Sequence, residues 1–269
     1  MTSSPIRMPE GLDALGQLLD RVAERQRQDF GQLDSEAKAD GSLITACDRW
    51  SDTALVEGLA QLYPGEGVLS EEGSQCVPSS AAYWVVDPLD GTTNFAAGIP
   101  YWAISLARFE RGVPVLAVLD VPPLRQRIVA IRGGGAWRKH NKLQPPAARN
   151  QVAGCASLCS RSIGVLQKLP NQRFPGKIRL LGVASLNLVS VGMGQTISAL
   201  EATPKIWDLA AAWLVLQELN CSVCWLERDP SQLQAGEDLS QANFPVLAAR
   251  DAETLATFKP WADALVSPA

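Results

Sequence analysis

A strand-like run that ends in two acids and a glycine limits what this chain can fold into more than any other stretch. Ala82-Tyr83-Trp84-Val85-Val86 is apolar, aromatic and β-branched, and has the length of a strand. Asp87-Pro88-Leu89-Asp90-Gly91-Thr92-Thr93-Asn94-Phe95 follows directly. Pro88 has no backbone donor and a fixed φ, so the strand is expected to stop there. Gly91 frees the next turn, and Thr92, Thr93 and Asn94 suit a helix start with exposed N–H groups. Carboxylates attract a divalent cation and free amides attract phosphate, and the two meet at a metal-bound phosphoester. A bare D-x-x-D pair would be read as a turn and a cap. The rest of the chain has to show whether more is meant.

Composition narrows the field. At 269 residues the chain can bury a large core, as one α/β domain or two closely packed halves. Its 46% hydrophobic and 19% charged residues fit a globular protein and not a disordered one. A net charge of −4 without a long basic run disfavours nucleic-acid binding. An anionic substrate is still allowed, because bound metal reverses the local sign. Met1 to Gly11 lacks the apolar core of a secretory signal, and no stretch approaches the roughly 18 apolar residues of a spanning helix. A cytoplasmic location without membrane partners is the expectation. Cys221-x-x-Cys224 is the only C-x-x-C pair and lies in an apolar run, which favours strand packing over metal or redox chemistry. His140, the only histidine, argues against a histidine-ligated metal and against a Ser-His-Asp triad unless it is itself the base.

Along the chain, 9–30 reads as an amphipathic helix on Leu12, Leu15, Leu19 and Val22, and a second helix runs from Asp48 to about Leu62. A short strand at 67–73 ends in Glu71 and Glu72. Segments 103–109, 113–121 and 127–131 read as meandering antiparallel strands, divided by Arg111-Gly112, Pro122-Pro123 and the glycines at 133–135. The polar stretch Lys139–Asn150 is the expected seam, giving halves at 1–140 and 141–269. Beyond it strands at 155–159, 177–181, 196–200, 221–226 and 245–249 alternate with helices at 184–193, 207–220 and 252–265, the last interrupted near Pro260.

The string W-V-V-D-P-L-D-G-T-T-N-F resembles the signature of the inositol monophosphatase family, and other segments extend the resemblance over nearly the whole chain. Glu71 in S-E-E-G matches that family's metal-binding glutamate. Asp87 and Asp90 match its paired aspartates, with the Leu89 carbonyl as a further ligand, and Asp208 in W-D-L-A-A matches its last acid. The resemblance implies a layered αβαβα sandwich, with an antiparallel N-terminal sheet and a mixed α/β C-terminal half. It also implies two or three Mg²⁺ ions, sensitivity to lithium and a homodimer. Hard oxygen donors are what Mg²⁺ requires. Taken singly, Asp208 would be a first-turn acid and Asp40 a turn former. Asp40 and Glu72 stay open between such roles and the site.

Lys38-x-Asp40-x-Ser42-x-Ile44-Thr45-x-x-Asp48 resembles the family's N-terminal segment, in which the closing aspartate pairs with the first threonine of G-T-T. Asp48, Thr92 and Glu71 are thereby implied to activate a metal-held water that attacks a phosphate monoester without a covalent intermediate. A threonine hydroxyl needs an adjacent acceptor for its proton, which supports the pairing independently. Asp90, Gly91, Thr92 and Asp208 would hold the ester. Arg179 to Ser185, with Gly182, Val183 and Ala184, resembles the pocket segment, and Glu201 matches the glutamate that accepts inositol hydroxyls. A small phosphorylated polyol or sugar is the implied substrate. Inositol monophosphate leads; histidinol phosphate, 3′(2′),5′-bisphosphate nucleotides and fructose 1,6-bisphosphate are the alternatives inside the family, and a non-catalytic binding protein is the alternative outside it. Glu201 stands evenly between a pocket residue and a strand-end acid in an exposed loop. Two departures bear on the pocket: Val183 stands where a small hydroxyl residue is usual, and Asn220-Cys221 where Gly-Gly is frequent.

Overall fold

Alternation along the strand that carries the acids sets the layers of the molecule. Trp84 and Val86 face one helical layer and Tyr83 and Val85 the other, because successive strand residues point to opposite faces. The computed structural model describes residues 11–32, 35–37, 43–139, 141–146 and 154–267. Lys38, Asp40, Ser42 and His140 lie outside the described residues.

The first half opens with α1 (Asp13–Asp29), β1 (Ser35–Ala37), β2 (Leu43–Thr45) and α2 (Ala46–Leu62). It continues with β3 (Gly67–Ser70), β4 (Ala82–Asp90), α3 (Thr92–Ala96), β5 (Ala103–Glu110), β6 (Val113–Val121), β7 (Gln126–Ile131), β8 (Gly135–Arg138) and β9 (Asn141–Lys142). β3 to β9 form one sheet in chain order, antiparallel except for the β3–β4 pair. Then come β10 (Cys155–Leu158), α4 (Val165–Lys168), β11 (Lys177–Arg179), α5 (Ala184–Gly192), β12 (Ser198–Glu201), α6 (Ile206–Glu218), β13 (Ser222–Trp225), β14 (Val246–Ala249) and α7 (Ala252–Val266). The second sheet has the order β11-β10-β12-β14-β13 and is mixed, its first three strands parallel.

Leu15, Leu19, Val22, Leu55 and Leu59 of α1 and α2 cover one face of the first sheet. α5 and α6 fill the space between the two sheets, where α6 is buried on nearly every side from Ile206 to Leu216. Phe258 and Trp261 of α7 cover the outer face of the second sheet over Leu158, Leu200 and Leu247. The result is the αβαβα layering expected from the sequence. A helix as apolar as α6 is stable only in such a central layer.

Several local expectations needed correction. β4 does not stop at Pro88 but runs on to Asp90, through a register shift between Asp87 and Asp90. The missing proline donor falls inside that bulge, where the ladder asks for none. α2 begins two residues before Asp48, because Thr45 and Asp48 close a reciprocal capping box. β8 falls within the run of strands expected from Trp102 to about Trp137, and β9 carries the meander beyond it. α7 is not interrupted at Pro260: that residue is exposed, so the carbonyl one turn earlier can turn to water while Phe258 and Trp261 hold the helix to the sheet. Cys221 packs towards the central helices and Cys224 towards the α7 side, so the C-x-x-C spacing divides the thiols between two layers, as strand packing requires.

Candidate active site

The β4 bulge places Asp87 and Asp90 at the C-terminal end of the strand, and the first turn of α6 brings Asp208 to them from the central layer. The three carboxylates can each offer an oxygen so that all lie within 4.8 Å of one another. Asp87 is wholly buried; one of its oxygens accepts from the Leu89 N–H at 2.9 Å and the other, Oδ2, accepts no hydrogen bond from a donor N–H or hydroxyl among the described residues. Asp90 Oδ2 accepts from the Ser185 N–H at 2.7 Å, at the start of α5. Asp208 Oδ2 accepts from the Lys205 N–H at 2.7 Å. Glu71 follows β3, its N–H donating to the Val86 carbonyl at 3.1 Å, which keeps it alongside Asp87.

So many acids in one buried place are costly unless protonated or compensated. Burial, then the charges of Glu71, Asp90 and Asp208, push Asp87 well above the usual carboxylate range. Burial and the charges of Asp90 and Glu71 do the same to Asp208, and burial raises Asp90 to about 6. A divalent cation would relieve all three at once. The donors are oxygens only, and Asp87 Oδ2 is a buried acceptor with nothing to accept from, so the set fits a hard ion such as Mg²⁺.

On the other side of the bulge, Thr92 Oγ1 lies 2.8 Å from Asp48 Oδ1 and 3.1 Å from the Leu89 carbonyl oxygen. Asp48 is buried, and its other oxygen takes the Thr45 N–H and hydroxyl. The pairing expected of Asp48 and Thr92 is therefore present. Gly91 takes φ +104°, a left-handed turn that starts α3. Glu72 is half-buried beside Glu71.

A cleft of about 230 Å³ opens next to Asp90 and Asp208. Gly182, Val183, Ala184 and Glu201 line it, so the pocket residues named from sequence converge there, while Glu71, Asp87, Gly91 and Thr92 do not border it. Glu201 closes β12, is 3% exposed and accepts from Asn187 Nδ2 at 2.8 Å; it is not an acid in an exposed loop. Burial pushes its carboxyl up to about 8, with Asp90 adding to the rise and Asn187 opposing it. Val183 fills the space over Gly91, where a Cβ would come within 2.8 Å of its Cγ2. Asn220 adopts φ +53°, so asparagine takes the left-handed turn where the family often has glycine.

Sequence reading missed half of the cleft's lining, and two of the missed residues, Asn187 and Arg161, carry polar side chains that bear on the pocket. Asn187 is a buried amide in α5, whose other polar residues are the small Ser185 and Ser190, and that contrast was the available signal. Arg161, whose Nη1 donates to Thr203 Oγ1 at 2.7 Å, is the only cation lining the cleft among the described residues and sits in a loop that carried no signal.

Residues 10–257 match the model of the inositol monophosphatase family. The chain belongs to that family. Among relatives of the inositol monophosphatase family, a histidinol-phosphatase of Mycobacterium tuberculosis is 34% identical over 215 residues, 75% of this chain and 82% of the relative. A putative Nus factor SuhB of Neisseria meningitidis is 32% identical over 247 residues, covering 87% and 90%. An IMPase of Thermotoga maritima shares the fold with a TM-score of 0.79 at 24% identity, over 94% of this chain and 98% of that one. No helix among the described residues is long and apolar enough to cross a membrane.

Proposed function

We propose that this chain is a Mg²⁺-dependent phosphate monoester hydrolase acting on inositol monophosphate or a similar small polyol phosphate. The observation that carries this reading is the convergence of Asp87, Asp90 and Asp208 around the unpartnered Asp87 Oδ2, beside a cleft that holds Glu201. Glu71, Asp87, Asp90, Asp208 and the Leu89 carbonyl would hold two or three ions. Bound there, Mg²⁺ supplies charge to the phosphate oxygens and lowers the pKa of water.

The chain's own residues do the rest. Thr92 donates its hydroxyl hydrogen to Asp48 Oδ1, which leaves an Oγ1 lone pair to accept from the attacking water and aim it. Glu71 is the second acceptor for that water. The first amides of α3, at Gly91 and Thr92, have no partner within their helix and favour the phosphate oxygens. Glu201, steadied by Asn187, accepts from substrate hydroxyls.

Arg161 favours a second reading, hydrolysis of a bisphosphate, because it offers a cation to a second anionic group in the same cleft. The division into halves at 1–140 and 141–269 belongs to this proposal. It is supported by two sheets drawn from 67–142 and 155–249, although β9 carries the first sheet two residues past the boundary. The cytoplasmic location and the homodimer are carried by family resemblance alone.

The test is phosphate release with Mg²⁺ from inositol 1-phosphate, histidinol phosphate, adenosine 3′,5′-bisphosphate and fructose 1,6-bisphosphate. Inositol 1-phosphate is expected to have the highest kcat/KM, EDTA to abolish turnover, and Asp87→Asn to reduce it by orders of magnitude. Near-normal turnover by that variant would sink the assignment. A preference for either bisphosphate would replace the polyol reading with the second one.

A further inference from the structure

Gln26 of α1 is completely buried, and none of the chemistry above uses it. Its Nε2 donates to the Pro88 carbonyl at 2.7 Å and to Ser51 Oγ at 3.1 Å, and its Oε1 accepts from Trp102 Nε1 at 3.0 Å. Pro88 stands inside the β4 bulge, where the register shift leaves no ladder pair between Asp87 and Asp90. An amide 62 residues earlier in the chain supplies the missing donor.

The geometry of one peptide unit gives this contact a consequence. The Pro88 carbonyl and the Leu89 N–H are the two polar ends of a single planar group. Gln26 holds the carbonyl end, and the N–H end donates to Asp87 Oδ1 at 2.9 Å. That hydrogen bond sets which way the carboxylate turns, and so where the unpartnered Oδ2 points. The flanking side chain is held as well. Leu89 packs with Phe95, Trp102 and Cys47, and Phe30 stacks on Trp102 at 4.7 Å between ring centroids.

We propose that Gln26 is a positioning residue for the metal site, fixing the Pro88–Leu89 peptide plane so that Asp87 is aimed at the ion. The inference rests on the Mg²⁺ reading of the three carboxylates given above. Without the Gln26 donor the buried Pro88 carbonyl loses its partner, and the plane can rotate to seek another. Rotation withdraws the Leu89 N–H from Asp87. Partners of this kind typically change metal affinity by about 10- to 100-fold when removed.

The test is Mg²⁺ titration of the full chain by calorimetry, without substrate, alongside thermal melts in EDTA. Gln26→Met is nearly the same size and neutral, and is expected to weaken Mg²⁺ binding by about tenfold or more. Trp102→Phe is the control: it removes the donor to Oε1 but leaves the bond to Pro88, so it is expected to lower the melting temperature while keeping Mg²⁺ affinity near wild type. Gln26→Asn serves if the methionine variant does not fold. It keeps an uncharged amide near Ser51 and Trp102 but is one methylene too short to hold the 2.7 Å bond to Pro88, so weaker binding supports the positioning role. Wild-type affinity in either Gln26 variant, or an equal loss in Trp102→Phe, would overturn that role while leaving the metal reading intact. A wild-type chain that binds no Mg²⁺ would overturn both.

Discussion

One hydroxyl hydrogen on Thr92 faces two acceptors, Asp48 Oδ1 at 2.8 Å and the Leu89 carbonyl at 3.1 Å. The shorter contact goes to a carboxylate, the stronger acceptor, so the hydrogen belongs there and the threonine lone pair is left for water. Thr92→Ala and Asp48→Asn are therefore expected to lower kcat by about 100-fold or more while changing KM little, as measured on inositol 1-phosphate. A rise in KM alone would make Thr92 a phosphate cradle. At this scale the sequence was most readable where neighbours constrain one another. The acids at 87 and 90 sit in a string in which nearly every position is specified, and Asp48 pairs with Thr92 across the fold as the family resemblance of the segment ending in Asp48 implied. Gln26, Asn187 and Arg161 are single polar residues in helices or loops, and only their distant partners give them meaning.

Elements were legible in their periodicity and misread at their irregularities. The apolar alternation of β4 was plain, but a proline inside a bulge and a proline at the end of a strand look alike in sequence. Pro260 in α7 makes the same point, since burial on either side decides whether a helix survives. Where an irregularity is tightly packed, its cost can be measured. Gly91 combines φ +104° with a Cβ position 2.8 Å from Val183 Cγ2 and 3.3 Å from the Tyr101 carbonyl. Gly91→Ala is expected to cost on the order of 1–3 kcal/mol of stability, read from denaturant melts in EDTA. Adding Val183→Ala should recover part of that loss, because it removes the clash with the side chain but not the backbone strain. No recovery at all would mean that the strained turn, and not the contact, carries the cost.

For the molecule as a whole, the acidic cluster makes stability depend on pH and on metal together. Asp87 and Asp208 are held well above the ordinary range, Asp90 at about 6 and Glu201 at about 8. An acid with a raised folded pKa contributes its full stability below the unfolded pKa and loses it as pH rises through the folded one. The metal-free protein should therefore melt at progressively lower temperature as pH climbs from about 4.5, the ordinary value for a glutamate, towards about 8. Saturating Mg²⁺ should flatten that slope, because the ion binds the deprotonated set and only in the folded state. Melting curves at several pH values, with EDTA and with Mg²⁺, check this; parallel slopes would show that no ion enters the cluster.

The proposed ligands enter the chain at residues 71, 87, 90 and 208, the last of them on the helix that fills the middle layer. A ribosome has therefore released the first sheet well before the site can exist. Until α6 emerges and inserts, Glu71, Asp87 and Asp90 stand together without the fourth carboxylate of the proposed set. An ion held by Asp90 and Asp208 would tie together segments 118 residues apart, much as a covalent cross-link closes a loop. A nascent chain, or one clipped before α6, has no such clasp. Strong ion binding would then report that the central helix has been inserted.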